Sequence, residues 1–538
     1  MSKAEIELGG IRIGTSTLSN TESFADHTSS ANIAFHALVL GCFSGNSKPS
    51  SRLKVINVDR DTFDDVMASI CPTLTLNTQS LANIQSTEND VNSVNAEDPD
   101  QSITLSFNEL EDFEPDALYE SLEIFSDLRT LRRRLSNNAT FEAAAKEINA
   151  WSEVNSKNKT NPAHIEQTRN ADQKTPETEI AEGGSFLDSL LSETEHRQEE
   201  AKVHAGESLA QSFIQQIVAP YIIPAAHPKQ SELVSNIDDS ISGLMNLILH
   251  HPDFQALESS WRSLYRSIRS INTNANLKIY IADISKDVLF AKLENEDITR
   301  TDVFKSLIEP YTSISGCTPW SLIIGDYYFG DAENDLLLLE KLGLLAQLNN
   351  ATFVSAAKPE LVNCDDLGKT PDADDWNSQR DENYLNGWAK LRSLPQAANL
   401  ALTFPRILNR LPYGKNTKSI DSFTYEEMHG SVHNDYLWGN SAYGILILIA
   451  GSYEQNKWQF SPRNNNQLNN LPAHAYEEDG ETDLKPCAEV YLTEKGGEII
   501  LKNGLLPVWS ILRSDSVKIG PFLSLHESNQ HIQGRWQS

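Results

Sequence analysis

From Phe254 onward the large apolar residues Phe254, Leu257, Trp261, Leu264 and Ile268 recur at steps of three and four, which places all five on one face of a helix. Just upstream, Ile237, Ile241, Leu244 and Ile248 keep the same rhythm. Between the two runs stands Pro252. Proline has no amide donor and biases the residue before it away from helical geometry, so the first helix must stop and a second begins. His250 and His251 therefore fall at a helix–helix corner, where a histidine can answer the carbonyl end of a helix. A zinc site would need further converging ligands, and the sequence holds neither HExxH nor paired CxxC. The pattern reads as a packing helix.

The same treatment divides the rest of the chain. Residues 1–151 read as a small α/β unit: an extended start (EIELGGIRI), strands in IAFHALVLGCF, LKVINV and ITLSF, and a helix with an acidic first turn in DRDTFDDVMASI. Residues 152–184 are polar, almost without large apolar side chains, and bury too little surface to offset chain ordering; they read as a linker. Residues 185–275 carry helical patterns, FLDSLLSETEHR and ESLAQSFIQQIVAPYI preceding the two runs above. Residues 276–538 return to α/β patterning, with LKIYIADIS and PWSLIIGDYYFG as strands. AYGILILIAGSY fits a buried strand or a buried helix equally, because a short apolar run has no decisive period. The expected class is α/β (mixed α+β).

Charge narrows the function. With 44 Lys+Arg against 75 Asp+Glu the formal net charge is −31, which repels nucleic acid and anionic membrane surfaces. Twelve carboxylates and no lysine or arginine lie between Glu88 and Glu123, after which Arg129, Arg132, Arg133 and Arg134 arrive together; this suggests pairing between copies or neighbours, or a solvated helix face. Cys42, Cys71, Cys317, Cys364 and Cys487 are scattered and lack metal spacing, as in a reducing compartment. The start MSKAEIELGG lacks a signal-peptide pattern and no apolar stretch is long enough to span a bilayer, so a cytoplasmic location is expected.

Candidate chemistry is thin. Asp326, Asp331, Glu333 and Asp335 crowd GDYYFGDAEND but lack the alternating ligand register of a calcium loop. They read as a strand-to-helix connection with acids at the helix start. RLPYGK is a turn with basic flanks and lacks the glycine-rich cradle of a phosphate loop. Cys487 in PCAEVYLTEKGG has no histidine partner nearby in sequence. A hydrolase built on these carboxylates or on the histidine pair is the remote enzyme alternative. No catalytic, metal or cofactor site is assigned, and no cofactor is expected.

Five ordered stretches, HHPDFQALESSWRSLYRSI, PWSLIIGDYYFG, LTFPRILNRLPYGK with DSFTYEE after it, DYLWGNSAYG and PCAEVYLTEKGGEIILKNGLLPV, resemble the large subunit of the type VI secretion contractile sheath, the TssC or VipB family, over about residues 185–510. The first segment resembles the small sheath subunit, the TssB or VipA family, through LGCFSG, VINVDRDTFDDVMASICPTLTL and LSFNELEDFEPDALYESLEIFSDLRTLRRRL. The chain thus resembles a natural fusion of the two subunits. The resemblance implies a non-catalytic building block of a helical sheath around a tube, with sheath, tube or baseplate proteins as partners. It also implies a hexameric recycling ATPase that recognises an amphipathic helix; FLDSLLSETEHR is similar to that helix, with Phe186, Leu187, Leu190 and Leu191 as its apolar face. Family members continue beyond the point matching HIQGRWQS into strands that join neighbours. The expectation is therefore either a variant sheath subunit or an accessory that binds or ends a sheath, monomeric or a small oligomer by itself, with EIELGGIRI available for edge addition to a neighbour. The rival is a regulator that mimics the sheath heterodimer without polymerising.

Overall fold

The computed structural model describes residues 7–8, 11–12, 33–46, 53–77, 102–148, 230–294, 297–312, 317–478 and 480–536. Residues 152–184, expected as a linker, and the stretches FLDSLLSETEHR and ESLAQSFIQQIVAPYI lie outside them.

A nine-stranded mixed sheet organises the molecule. Its strands are β1 (Phe35–Gly41), β2 (Val55–Val58), β3 (Leu277–Asp283), β4 (Leu322–Phe329), β5 (Thr352–Ala357), β6 (Leu400–Phe404), β7 (Gln467–Leu468), β8 (Leu506–Ser510) and β9 (Val517–Ile519), in spatial order β7-β9-β8-β6-β5-β4-β1-β3-β2. From β3 across to β8 all neighbours are parallel, while β2, β9 and β7 add antiparallel edges. Parallel strands are buried on both faces, which explains near-continuous apolar runs such as LIIG and LALTF.

β1 comes from the N-terminal segment yet lies in the middle of this sheet. Val39 pairs in register with Ile281 on one side and Ile324 on the other. Its side chains alternate between two cores: Phe35, Ala37 and Val39 enter one, Leu38 and Leu40 the other. The two segments thus share one sheet.

The first core is covered by α1 (Phe63–Ile70), α2 (Ser126–Ser136), α3 (Gln230–Leu249), α4 (Pro252–Ser270) and a later helix, Ala442–Asn456; the second by α5 (Glu333–Leu348) and α6 (Glu382–Ser393). AYGILILIAGSY is helical, running Ala442–Asn456. Ten of its fifteen residues are buried, all within Ala442–Tyr453, so tertiary burial resolves the ambiguous period. In EIELGGIRI, Glu7–Leu8 pairs antiparallel with Ile11–Arg12, so this stretch folds on itself, with Gly9 and Gly10 between the paired residues in sequence. Among the described residues no helix is long and apolar enough to cross a membrane.

Candidate functional site

The residues singled out by pattern converge on α4, which forms the seam between the N-terminal and C-terminal segments. Phe254, Trp261, Leu264 and Ile268 are fully buried and Leu257 nearly so. Trp261 donates its indole N–H to the carbonyl of Phe43 at 3.0 Å and meets the rings of Phe43 and Phe63 edge-on, with centroids at 5.4 and 5.7 Å. Two turns toward the N-terminus of α4, Phe254 packs edge-on against Phe107 and Phe113, which stack on each other at 4.0 Å. Aromatic pairs in these geometries add to what area burial alone supplies.

Polar pins fix the register of this apolar contact. Asp283, at the end of β3, accepts from the amides of Phe43 and Ser44 at 2.8 and 3.0 Å. Arg60 donates to the carbonyls of Ile268 and Arg269 and so answers orphan acceptors at the end of α4. Glu114 pairs with Lys418, and Asp116 accepts from the amides of Asp421 and Ser422 at 3.1 and 3.0 Å. DFEPD of the first segment thereby grips the loop that follows RLPYGK.

The arginine cluster finds its partners within the chain. Arg132 reaches Asp238 on α3 at 2.5 Å, Arg134 reaches Glu147 at 2.7 Å, and Arg129 donates to the carbonyls of Tyr119, Glu120 and Leu122. The suggestion that this cluster pairs between copies is corrected for these three arginines: α2 lies beside α3 and brings Arg132 to Asp238, while Arg129 and Arg134 find acceptors within the first segment.

Behind α4 lies an ionic hub that pattern reading missed. Arg410 donates to Glu258 at 2.8 Å and forks onto both oxygens of Glu427 at 2.7 and 2.9 Å. Arg262 also reaches Glu258, at 2.7 Å, and donates to the hydroxyl of Tyr413 at 3.0 Å. Burial pushes the Glu427 carboxyl up, but the Arg410 charge and the contacts from His250 and Arg410 outweigh it and hold the group at about 2. A second buried pair has the same balance: burial raises Glu489, while Arg406 and His433 bring it down to about 2. The available signal was the Glu258–Arg262 spacing of four on a helix with an apolar stripe, which reads by default as a surface pair.

The histidines are structural in placement. His251 precedes α4 as its cap, its ring Nδ1 accepting from the Asp253 amide at 3.2 Å. His250 lies 3.4 Å from Glu427 and 3.6 Å from Asp435. The GDYYFGDAEND carboxylates disperse: Asp326 is in β4, Asp331 lies 3.6 Å from Arg380, Glu333 is in the first turn of α5, and Asp335 holds Lys286 and the Gly330 amide, both at 2.6 Å. No group of three or more metal-ligating side chains occurs among the described residues. Cys487 is buried and donates to the carbonyls of Pro472 and Ser514, and burial pushes its thiol up to about 11. Phe186, Leu187, Leu190 and Leu191 lie outside the described residues. The arrangement is suited to holding two segments rigidly together.

Comparison with known proteins agrees with this division. Residues 231–526 match the VipB family, described as EvpB/VC_A0108, tail sheath N-terminal domain. Residues 19–151 match the type VI secretion system family VipA, VC_A0107 or Hcp2. The chain is also similar to the type VI secretion system sheath protein TssC1 of Pseudomonas aeruginosa, 30% identical over 343 residues, which cover 62% of this chain and 68% of that protein.

Proposed function

The chain belongs to the type VI secretion sheath family, with VipA-like and VipB-like parts in one polypeptide, and on that premise we propose that it is a preassembled building block of a contractile sheath. The observation that carries this reading is the central position of β1. A strand from the VipA-like part, paired on both sides with strands of the VipB-like part, makes one rigid body that rotates as a unit when a lattice rearranges. Its partners are other sheath proteins and the tube, with baseplate contact at the sheath end. A recycling hexameric ATPase would engage Phe186, Leu187, Leu190 and Leu191; a peptide spanning 185–196 should bind that ATPase and lose binding when Leu190 and Leu191 become Asp.

Mixing the tagged chain with sheath and tube proteins of the same cell, followed by negative-stain imaging with gold label, tests the main reading. Label distributed along the sheath is the expected result. Label confined to sheath ends would identify an accessory that terminates assembly, and binding without incorporation would identify a regulator.

A further inference from the structure

α5 is apolar around most of its circumference: ENDLLLLEKLGLLAQL turns Leu338, Leu339, Leu342 and Leu345 into the core, while Leu336, packed at the edge of that core, and Leu337 remain half-buried. A helix apolar all round is expected to be covered. Beside α6 these leucines line a groove of about 280 Å³ with Tyr384, Leu391, Leu394 and Glu340. Of the other carboxylates at its rim, Asp331 lies beside Arg380, Asp381 caps α6 by accepting from the Asn383 amide at 2.7 Å, and Glu333 stands in the first turn of α5. Glu340 makes no ion pair or hydrogen bond among the described residues, and burial pushes its carboxyl up although Lys341 and Lys390 oppose the shift. The groove is an apolar slot whose half-buried acid makes no ion pair, and Lys390 is the one cation in a lining that also carries Asp331, Glu333 and Asp381.

On the other face of the sheet α4 carries the complement. Tyr265 is 41% exposed, the guanidinium of Arg269 lies 5.9 Å from its ring centroid, and Phe63 props the ring at 5.2 Å. Arg269 has no carboxylate partner among the described residues. α4 packs on the core that contains Val39 and α5 on the core that contains Leu40, so knob and groove lie on opposite outer layers. One copy therefore cannot join them within itself, whereas successive copies can.

We propose that the Tyr265–Arg269 knob of one copy seats in the α5–α6 groove of the next, with Arg269 against Glu340. The occupant is a second copy because both halves of the match, aromatic into apolar and unpaired cation onto unpaired acid, are present on this one chain. Different patches on the two copies make the contact heterologous, and a heterologous contact that does not close on itself builds an open helical array. The inference rests on the sheath reading and names one contact within it.

Sedimentation velocity of the full chain across a concentration series at near-physiological salt is the test. Arg269→Glu or Glu340→Arg alone places like charges in every contact and should weaken self-association at least tenfold. The double variant carries the pair reversed and should recover it. Tyr265→Ala, which also removes the ring from its contact with Phe63, should weaken association by a similar factor while its melting curve still shows a folded chain. Association unaffected by either single reversal, failure of the double variant to recover while it melts like the parent, or a parent chain that stays monomeric would each overturn this contact. Label distributed along a sheath in the mixing experiment would leave the sheath reading standing in all three cases.

Discussion

Trp261 shows how much one side chain carries at the seam. Its indole satisfies the Phe43 carbonyl and its ring separates Phe43 from Phe63, so Trp261→Ala leaves a cavity and an orphaned acceptor. A loss of about 3–5 kcal/mol is expected, read from urea unfolding; a loss below about 1 kcal/mol would show that the seam closes around the gap. Glu427 and Glu489 set the acid limit. Both carboxyls are held at about 2 in the folded chain against an ordinary 4.5, so the folded state binds protons less readily than the unfolded state. Their contribution is fully present above about 4.5 and is lost as the pH falls toward 2. Denaturation followed between pH 5 and pH 2 should show this decline, and Glu427→Gln should be less stable at pH 7 yet flatter across that window.

At the scale of elements, the α3–α4 corner is tighter than its sequence suggests. Pro252 occupies the first turn of α4 and His251 supplies a ring nitrogen to the Asp253 amide, which takes the place of the usual hydroxyl or carboxylate cap. His251→Ala should cost about 1 kcal/mol, as other caps do, measured by thermal or urea melts. His251→Asn, which restores an acceptor, should recover most of it; equal losses in both variants would assign the effect to ring packing. α4 earned its recognition from periodicity alone, whereas the partners on its flanks came from stretches separated by more than a hundred residues. No local period encodes that Phe254 meets Phe107 or that Arg410 reaches Glu258.

For the whole molecule, the shared sheet predicts what a cut between the two segments does. Cleavage within 152–184 converts one chain into two, but β1 remains hydrogen-bonded between β3 and β4. A protease site inserted there should yield fragments that co-elute on size exclusion and separate only in denaturant. Separate elution without denaturant would mean that the sheet does not survive loss of the tether. Mixing separately expressed segments should restore the complex more slowly than the intact chain folds, because the tether supplies a high local concentration that a bimolecular encounter lacks.

Whereas β5, β6 and β8 came only with the structure, the sequence by itself determined the α4 face, the corner at Pro252, the strands β1 to β4 and the ordered stretches that resemble two sheath subunits. These are local signals: a helical period, a proline, a buried apolar run. Only the tertiary structure decided that β1 threads between β3 and β4, that Ala442–Asn456 is a helix, that Arg132 and Arg134 are answered inside the chain, and that Glu258, Arg410 and Glu427 form a buried hub. The physical reason is range. Periodicity records which face of an element avoids water, whereas strand order and charge pairing depend on which distant element covers that face.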